Sequence, residues 1–424
     1  MGHYLSMPVK VVVVDRIAST WNTAAAASMQ GFRPTNEDQH ILECALGEQA
    51  SGGEHAICAV LDGHQGPVAA QLGAEALMCQ LRARMSEDAE LDDVAAERGL
   101  EAAFLRADAL LREQMGNQAG GTTVVAGLAM QLQPGEFRVR LAHAGDSRAL
   151  LRTRDELFCT EDHKPACPIE KARIEEAGGS VRSGQLGGVM RVDGLLAVSR
   201  GLGDFLFKPE CQEPGLCKVT PIPHVCTRLC RAGDWLLVAC DGIFDVMTNE
   251  EVRDFVDSQL STAGTDGLRR DCGAVVGALL QHCLKLGTMD NCTAVLMQFG
   301  PGEASPSQRT LLDAEIGRGA PHLVREAYAN FFEQHGFQEE ADAARQSPQR
   351  RPLATSRCGR GWASGRDQVG GGGEPTKAAD SADSAASDPR QDDADFPALT
   401  SAVAPRKGAF KRGGGKGKGR KGAG

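Results

Sequence analysis

Three apolar runs in this chain end on, or begin from, an aspartate, and they constrain the fold more than any other feature. Ile57-Cys58-Ala59-Val60-Leu61 leads into Asp62-Gly63-His64-Gln65-Gly66. Trp235-Leu236-Leu237-Val238-Ala239-Cys240 leads into Asp241-Gly242-Ile243-Phe244-Asp245. Asp290-Asn291 opens into Cys292-Thr293-Ala294-Val295-Leu296. Short apolar runs bounded by turn residues read as buried strands. Carboxylates gathered at the ends of such strands repel one another and call for a cation, and an oxygen-only set suits Mg²⁺ or Mn²⁺ rather than zinc. Any one Asp-Gly is also a favoured tight-turn dipeptide. The balance shifts because further charged residues recur in similar company. Arg33, Glu37 and Asp38 lie within Gly31–His40, and Asp146 lies in His143-Ala144-Gly145-Asp146-Ser147-Arg148, between two more strand-like runs.

Other short motifs follow in order: Gly121-Thr122-Thr123, Asp162-His163-Lys164-Pro165, Glu170-Lys171-Ala172-Arg173-Ile174, and Ala197-Val198-Ser199-Arg200-Gly201-Leu202-Gly203-Asp204. The ordered series, from about Gly31 to Phe299, resembles the metal-dependent Ser/Thr protein phosphatases of the PP2C (PPM) family. That resemblance implies an α+β fold, a central sandwich of two antiparallel β-sheets flanked by α-helices on both faces. It implies two Mg²⁺ or Mn²⁺ ions, with a third, weaker site beside them. Asp62 would bridge the pair, with the Gly63 carbonyl on the same ion, while Glu37, Asp241 and Asp290 complete the second ion's protein ligands. Asp38 would orient metal-bound water from behind. Asp146 and Asp245 resemble the ligands of the third ion, which shares Asp241; both also read as turn or helix-cap residues. Arg33 would hold the substrate phosphate with its planar fork, and His64 would protonate the departing Ser or Thr oxygen. Metal-activated water would attack phosphoserine or phosphothreonine directly, with no covalent phosphoenzyme and no nucleophilic cysteine. Cys167 and Arg173 have the spacing of cysteine-dependent phosphatases, but the intervening residues are charged and glycine-free, unlike a phosphate-cradling loop. The segment Pro165–Met190 is expected as a flap beside the site. Gln65 and Gln39 depart from the family pattern without removing a charge that the chemistry needs.

Composition bounds the rest. The net charge of −10 argues against the catalytic region being a nucleic-acid binder. The 14 cysteines are scattered, with no Cys-x-x-Cys pair, and Cys226 and Cys230 lack partners for a zinc site. No signal peptide or bilayer-length apolar run is apparent, so an intracellular protein is expected, in the cytoplasm or at a membrane, with the nucleus left open. The chain divides by pattern into an N-terminal segment 1–22, a catalytic domain 23–300, a helical extension 301–345 and a disordered low-complexity tail 346–424. Glu101–Met115 reads as an amphipathic helix, and Leu311–Ala344 as helical with a stripe of Leu323, Ala327, Phe331 and Phe332 packing on the main domain.

The tail carries an acidic block, Asp380–Asp395, then Phe396-Pro397-Ala398-Leu399, a weak docking motif, then a basic glycine-interleaved block, Arg406–Lys421. Such a block is either a solvated tail or an attractor of RNA and anionic surfaces. Met1-Gly2-His3-Tyr4-Leu5-Ser6 fits N-myristoylation of Gly2. One acyl chain binds membranes marginally and reversibly, and the basic block offers a second signal. A monomer acting on phosphorylated proteins is expected. The rival readings are an inactive phosphatase-like scaffold that binds phosphoproteins and an RNA- or ribosome-associated factor working through the tail.

Overall fold

The computed structural model describes residues 4–46, 55–85, 92–116, 118–184, 188–210, 212–261, 271–300, 305–317 and 319–346, all within one compact unit, Met1–Pro352. Gly2 and the tail blocks lie outside the described residues.

In chain order the first strands are β1 (Val12–Ala18), β2 (Asn22–Met29), β3 (Gln39–Leu46), β4 (His55–Leu61) and β5 (Gly63–His64). Helices α1 (Val68–Met85) and α2 (Asp93–Met115) follow. Next come β6 (Gly121–Thr122), β7 (Val124–Gln133), β8 (Glu136–Ala144), β9 (Arg148–Arg152) and β10 (Leu157–Cys159), then α3 (Pro168–Glu176). Strands β11 (Val181–Ser183), β12 (Met190–Val192), β13 (Leu202–Gly203), β14 (His224–Arg231) and β15 (Trp235–Ala239) lead to α4 (Asp241–Phe244), α5 (Asn249–Ser261) and α6 (Cys272–Leu286). The described chain closes with β16 (Cys292–Phe299), β17 (Ser305–Leu312), α7 (His322–Gln334) and α8 (Gln338–Arg345).

Two antiparallel sheets form the centre, one ordered β10-β9-β15-β16-β2-β1-β17 and the other β14-β8-β7-β4-β3. The period-2 rule of strands explains why β4 is apolar from Ala56 to Leu61. Ala56, Cys58 and Val60 face the other sheet, where they meet Leu236, Val238, Val295 and Met297. Ile57, Ala59 and Leu61 face the opposite way, onto Leu77, Leu81, Phe104 and Leu111 of α1 and α2. The outer face of the seven-stranded sheet is covered in the same way by Val252 and Val256 of α5 and by Val275, Val276 and Leu279 of α6. A strand covered on both faces has no polar side to show, which is the four-layer α-β-β-α arrangement expected from the sequence.

The C-terminal stretch differs from its expectation. Leu311 lies in β17, opposite Val13 of β1, and the helices begin only at His322. The stretch 1–22 supplies β1, which sits between β2 and β17 in the larger sheet. Val9, Val11 and Val13, three alternate residues, bury against Val324, Ala327, Tyr328, Phe331 and Phe332. Leu323 is 74% exposed, whereas Val324 is 1% exposed. One residue turns a helix by about 100°, which carries Leu323 off the stripe that Val324 shares with Ala327, Tyr328 and Phe331. Among the described residues no helix is long and apolar enough to cross a membrane.

Candidate metal centre and active site

The site is assembled where strands of both sheets end at one edge of the sandwich. β15 and β16 are neighbours, Ala239 opposite Ala294, so Asp241 at the start of α4 and Asp290 just before β16 come side by side. Asp62 approaches from the other sheet at the end of β4, where its carbonyl accepts from the Thr123 N–H at 2.9 Å. Asn291 stitches in the loop that carries the remaining groups. Its Nδ2 donates to the carbonyls of Gln30 (2.8 Å) and Thr35 (3.0 Å), and its Oδ1 accepts from the Glu37 N–H (3.0 Å). Gly63 must be glycine, because a Cβ there would lie 2.4 Å from the Glu37 carbonyl oxygen.

Arg33, Glu37, Asp62, Gly63, His64, Asp146, Asp241, Asp245 and Asp290 all line one cleft of about 500 Å³. Every residue expected at the site is therefore brought together, except Gly2, which is outside the described residues, and Asp38, which lies beneath the cleft floor. Asp38 is 3% exposed, and ligand atoms of Asp38, Asp62 and Cys240 lie within 4.8 Å of one another. The same cleft is also lined by Val189, Arg191 and Leu195 from the stretch that follows α3.

The electrostatics of the floor are out of balance. Burial, then the charges of Asp38, Asp241 and Asp290, raises the Asp62 carboxyl well above its ordinary range. Burial lifts Asp38 to about 7, against hydrogen bonding from Thr293, and burial with Asp146, Asp290 and Asp245 lifts Asp241 to about 8. Asp245 is raised by burial and by Asp290. Buried carboxyls of this kind hold protons unless an opposite charge arrives. The Asp38 Oδ2 atom, moreover, is buried with no hydrogen-bond partner among the described residues. Burial and the adjoining Asp38 and Asp62 push the Cys240 thiol far up as well, so it stays neutral and offers no thiolate to a soft ion. An orphaned buried oxygen in an over-acidic oxygen set fits hard divalent cations.

Two cationic groups face this floor. Arg33 donates from Nη2 to Asp290, rather than to Glu37 or Asp38, while its Nε is buried with no partner among the described residues. Burial lowers the His64 imidazole pKa, but Asp204 outweighs it and the net shift is upward. The His64 nitrogen assigned as Nε2 lies 2.8 and 2.9 Å from the two Asp204 oxygens. A third cation, Lys164, is bonded to Asp146, one of the expected ligands of a third ion. That carboxylate is therefore already partnered by an ammonium.

Asp204, Lys164 and Asn291 stand in motifs visible in the sequence, yet nothing there assigns them these partners. Arg173, six residues after Cys167, spends its guanidinium on Glu170 and on the carbonyls of Ser199, Cys217 and Lys218, and Cys167 precedes α3. Neither residue takes part in a phosphate loop.

Comparison with known proteins follows the same line. The family profile described as Protein phosphatase 2C matches residues 23–292. The mouse protein named probable protein phosphatase 1N is 37% identical over 318 residues, 74% of this chain and 73% of that one. Human protein phosphatase 1A is 35% identical over 325 residues, 70% of this chain and 80% of its own. Among solved structures, a phosphatase from a pathogenic strain of Toxoplasma gondii superposes with a TM-score of 0.60 at 26% identity, covering 71% of this chain and 99% of that one.

Proposed function

The chain belongs to the protein phosphatase 2C family, and from that premise we propose that it is a metal-dependent phosphatase of phosphoserine and phosphothreonine in proteins. In this reading water attacks phosphorus directly and no covalent phosphoenzyme forms. The observation that carries it is the meeting, in one cleft, of an over-acidic carboxylate floor with the cationic Arg33 and His64.

Divalent ions held by Asp62, the Gly63 carbonyl, Glu37, Asp241 and Asp290 would activate water and offset the charge of the phosphate. The rest is the work of side chains. Arg33 has five N–H donors, and Asp290 engages only Nη2, which leaves others to clasp two phosphate oxygens. Asp290 thereby also sets the direction in which the fork points. The departing serine or threonine oxygen is a poor leaving group until it is protonated. With Nε2 held by Asp204, Nδ1 is the nitrogen left to serve that oxygen, and Asp204 favours the imidazolium that has a proton to give. In this reading phosphate binding falls to Arg33 and protonation of the leaving group to His64, both of which line the one cleft.

Hydrolysis of a phosphothreonine peptide with Mn²⁺, with EDTA, and by an Asp241→Asn variant tests this directly. Turnover that needs the metal and collapses in the variant supports the proposal. No turnover by a folded, metal-loaded protein sinks it and favours a phosphoprotein-binding scaffold.

A further inference from the structure

Asp204 occupies an unusual place. It follows Gly203 (φ +80°) and itself has φ +52°, so two successive residues are left-handed, a conformation costly for any residue with a Cβ. A three-stranded ribbon, β13-β6-β5, lays it against the catalytic histidine. Gly121 of β6 is opposite both His64 and Gly203, and a Cβ on Gly121 would lie 2.2 Å from an Asp204 oxygen. Something must hold this turn in place, because strained backbone persists only where its surroundings fix it.

The holding groups lie on the side of β13 away from the cleft. Asp108 of α2 accepts the Gly203 N–H and the Lys208 ammonium on one oxygen, each at 2.8 Å. Lys208 Nζ also donates to the Gly201 carbonyl at 2.8 Å. The side chains of both partners are at least nine-tenths buried. One turn along α2, Arg112 donates to the Lys208 carbonyl at 2.8 Å and lies 4.2 Å over the Phe205 ring. The ion pair therefore grips the loop on both sides of Leu202, immediately before Asp204.

We infer that Asp108 and Lys208 form a buried brace that positions Asp204, and through it His64, for protonation of the leaving group. Both are positioning residues, and the inference rests on the phosphatase reading above. A merely structural pair would slow every substrate alike. A brace for the acid matters when the leaving group is an alkoxide and much less when it is a nitrophenolate, which departs without a proton.

The experiment is the Asp108→Asn/Lys208→Met double variant of the full chain, with Mn²⁺, assayed on a phosphothreonine peptide and on p-nitrophenyl phosphate. Removing both charges leaves no uncompensated buried ion. The kcat for the peptide should fall on the order of 10- to 100-fold, the scale of a misplaced catalytic group. The kcat for p-nitrophenyl phosphate should fall less than about threefold, since general-acid help is small there. Equal losses on both substrates, or no loss on either, overturn the brace. If the double variant does not fold, Arg112→Ala decides, with a smaller loss confined to the peptide; an unchanged peptide to p-nitrophenyl phosphate ratio overturns the inference. A parent protein that turns over neither substrate defeats the phosphatase reading and the brace with it, whereas an active parent with unselective variants defeats the brace alone.

Discussion

Two clusters of buried charge sit close together in this protein and are built on opposite principles. At the cleft, burial first and then neighbouring carboxylates, Asp290 among them for each, push Asp38, Asp62 and Asp241 upward. Beside it, Glu170 on α3 is only 3% exposed yet fully partnered. It accepts from Arg173, from Arg200 at 2.6 and 3.0 Å, and from the Ser199 hydroxyl at 2.7 Å. Burial alone would raise Glu170, but Arg200, Arg173 and Ser199 hold it down to about 2. One cluster carries its own counter-charge and the other lacks it. Buried charge that is already satisfied is architecture, while buried charge that waits for a partner marks the place where an ion or substrate belongs.

The largest effect should come from thinning the unsatisfied cluster. Asp241→Asn should lower phosphopeptide turnover by about 10³-fold, the scale of losing a principal electrostatic contact in the transition state. The same variant, free of metal, should melt higher than the parent, because one repelling carboxylate is gone. Steady-state kinetics and calorimetry on the two proteins read both arms. Glu170→Gln should do the reverse. Losing one partner of a buried pair costs about 3 kcal/mol, visible as a lower melting temperature, while Mn²⁺ affinity by calorimetric titration stays within about twofold of the parent. If Glu170→Gln weakens metal binding as much as it weakens the fold, the two clusters are one system and the contrast fails.

Metal and pH give the next effect in size. A hundredfold excess of Mn²⁺ over its dissociation constant should add about 2.7 kcal/mol of stability, and Asp241→Asn should lose most of that gain. The pH slopes of the two clusters have opposite sign. Asp38 and Asp241 titrate at about 7 and about 8 in the fold against a reference of 3.8, so they favour the metal-free fold at low pH. That contribution is full below the reference value and is lost as pH rises through 7 to 8. Glu170 runs the other way: its contribution is full above 4.5 and is lost as pH falls toward 2. Thermal melts of the metal-free protein from pH 5 to 9 should show a decline that saturating Mn²⁺ flattens. A decline that persists with metal bound would place its cause elsewhere.

How much of this was legible in the chain depends on whether a signal is local. Asp62, Asp241 and Asp290 could be read because each adjoins an apolar run, and strand ends are where such runs must turn. The partnership of His64 with Asp204 could not, since the two are 140 residues apart and meet only through the β13-β6-β5 ribbon. Glu170 and Arg200 stood in separate motifs for the same reason. Strand β2, Asn-Thr-Ala-Ala-Ala-Ala-Ser-Met, was invisible as a strand because alanine has little β preference. Small side chains suit it because it lies between the other sheet and α6. Helix α2 starts at Asp93 rather than Glu101, capped by the Asp92 side chain on the Ala95 N–H. Leu323 was misplaced because a single residue of helical phase separates the buried stripe from solvent.

The smallest change tests the contrast most sharply. Arg200 gives Glu170 two hydrogen bonds, from Nε and Nη2, and reaches the Ile222 carbonyl with Nη1 at 3.2 Å. Arg200→Lys keeps the positive charge but replaces a fixed planar fork with one flexible ammonium. If the cluster serves only the fold, the loss should be about 1 kcal/mol, one net hydrogen bond, seen in a denaturant melt, with kcat on the phosphopeptide within about twofold of the parent. Ser199 and Arg200 nevertheless adjoin Gly201, where the loop bearing Asp204 begins. A fall in kcat well beyond the loss in stability would mean that Glu170 reaches the acid through that loop, and satisfied buried charge would then belong to the catalytic apparatus as well.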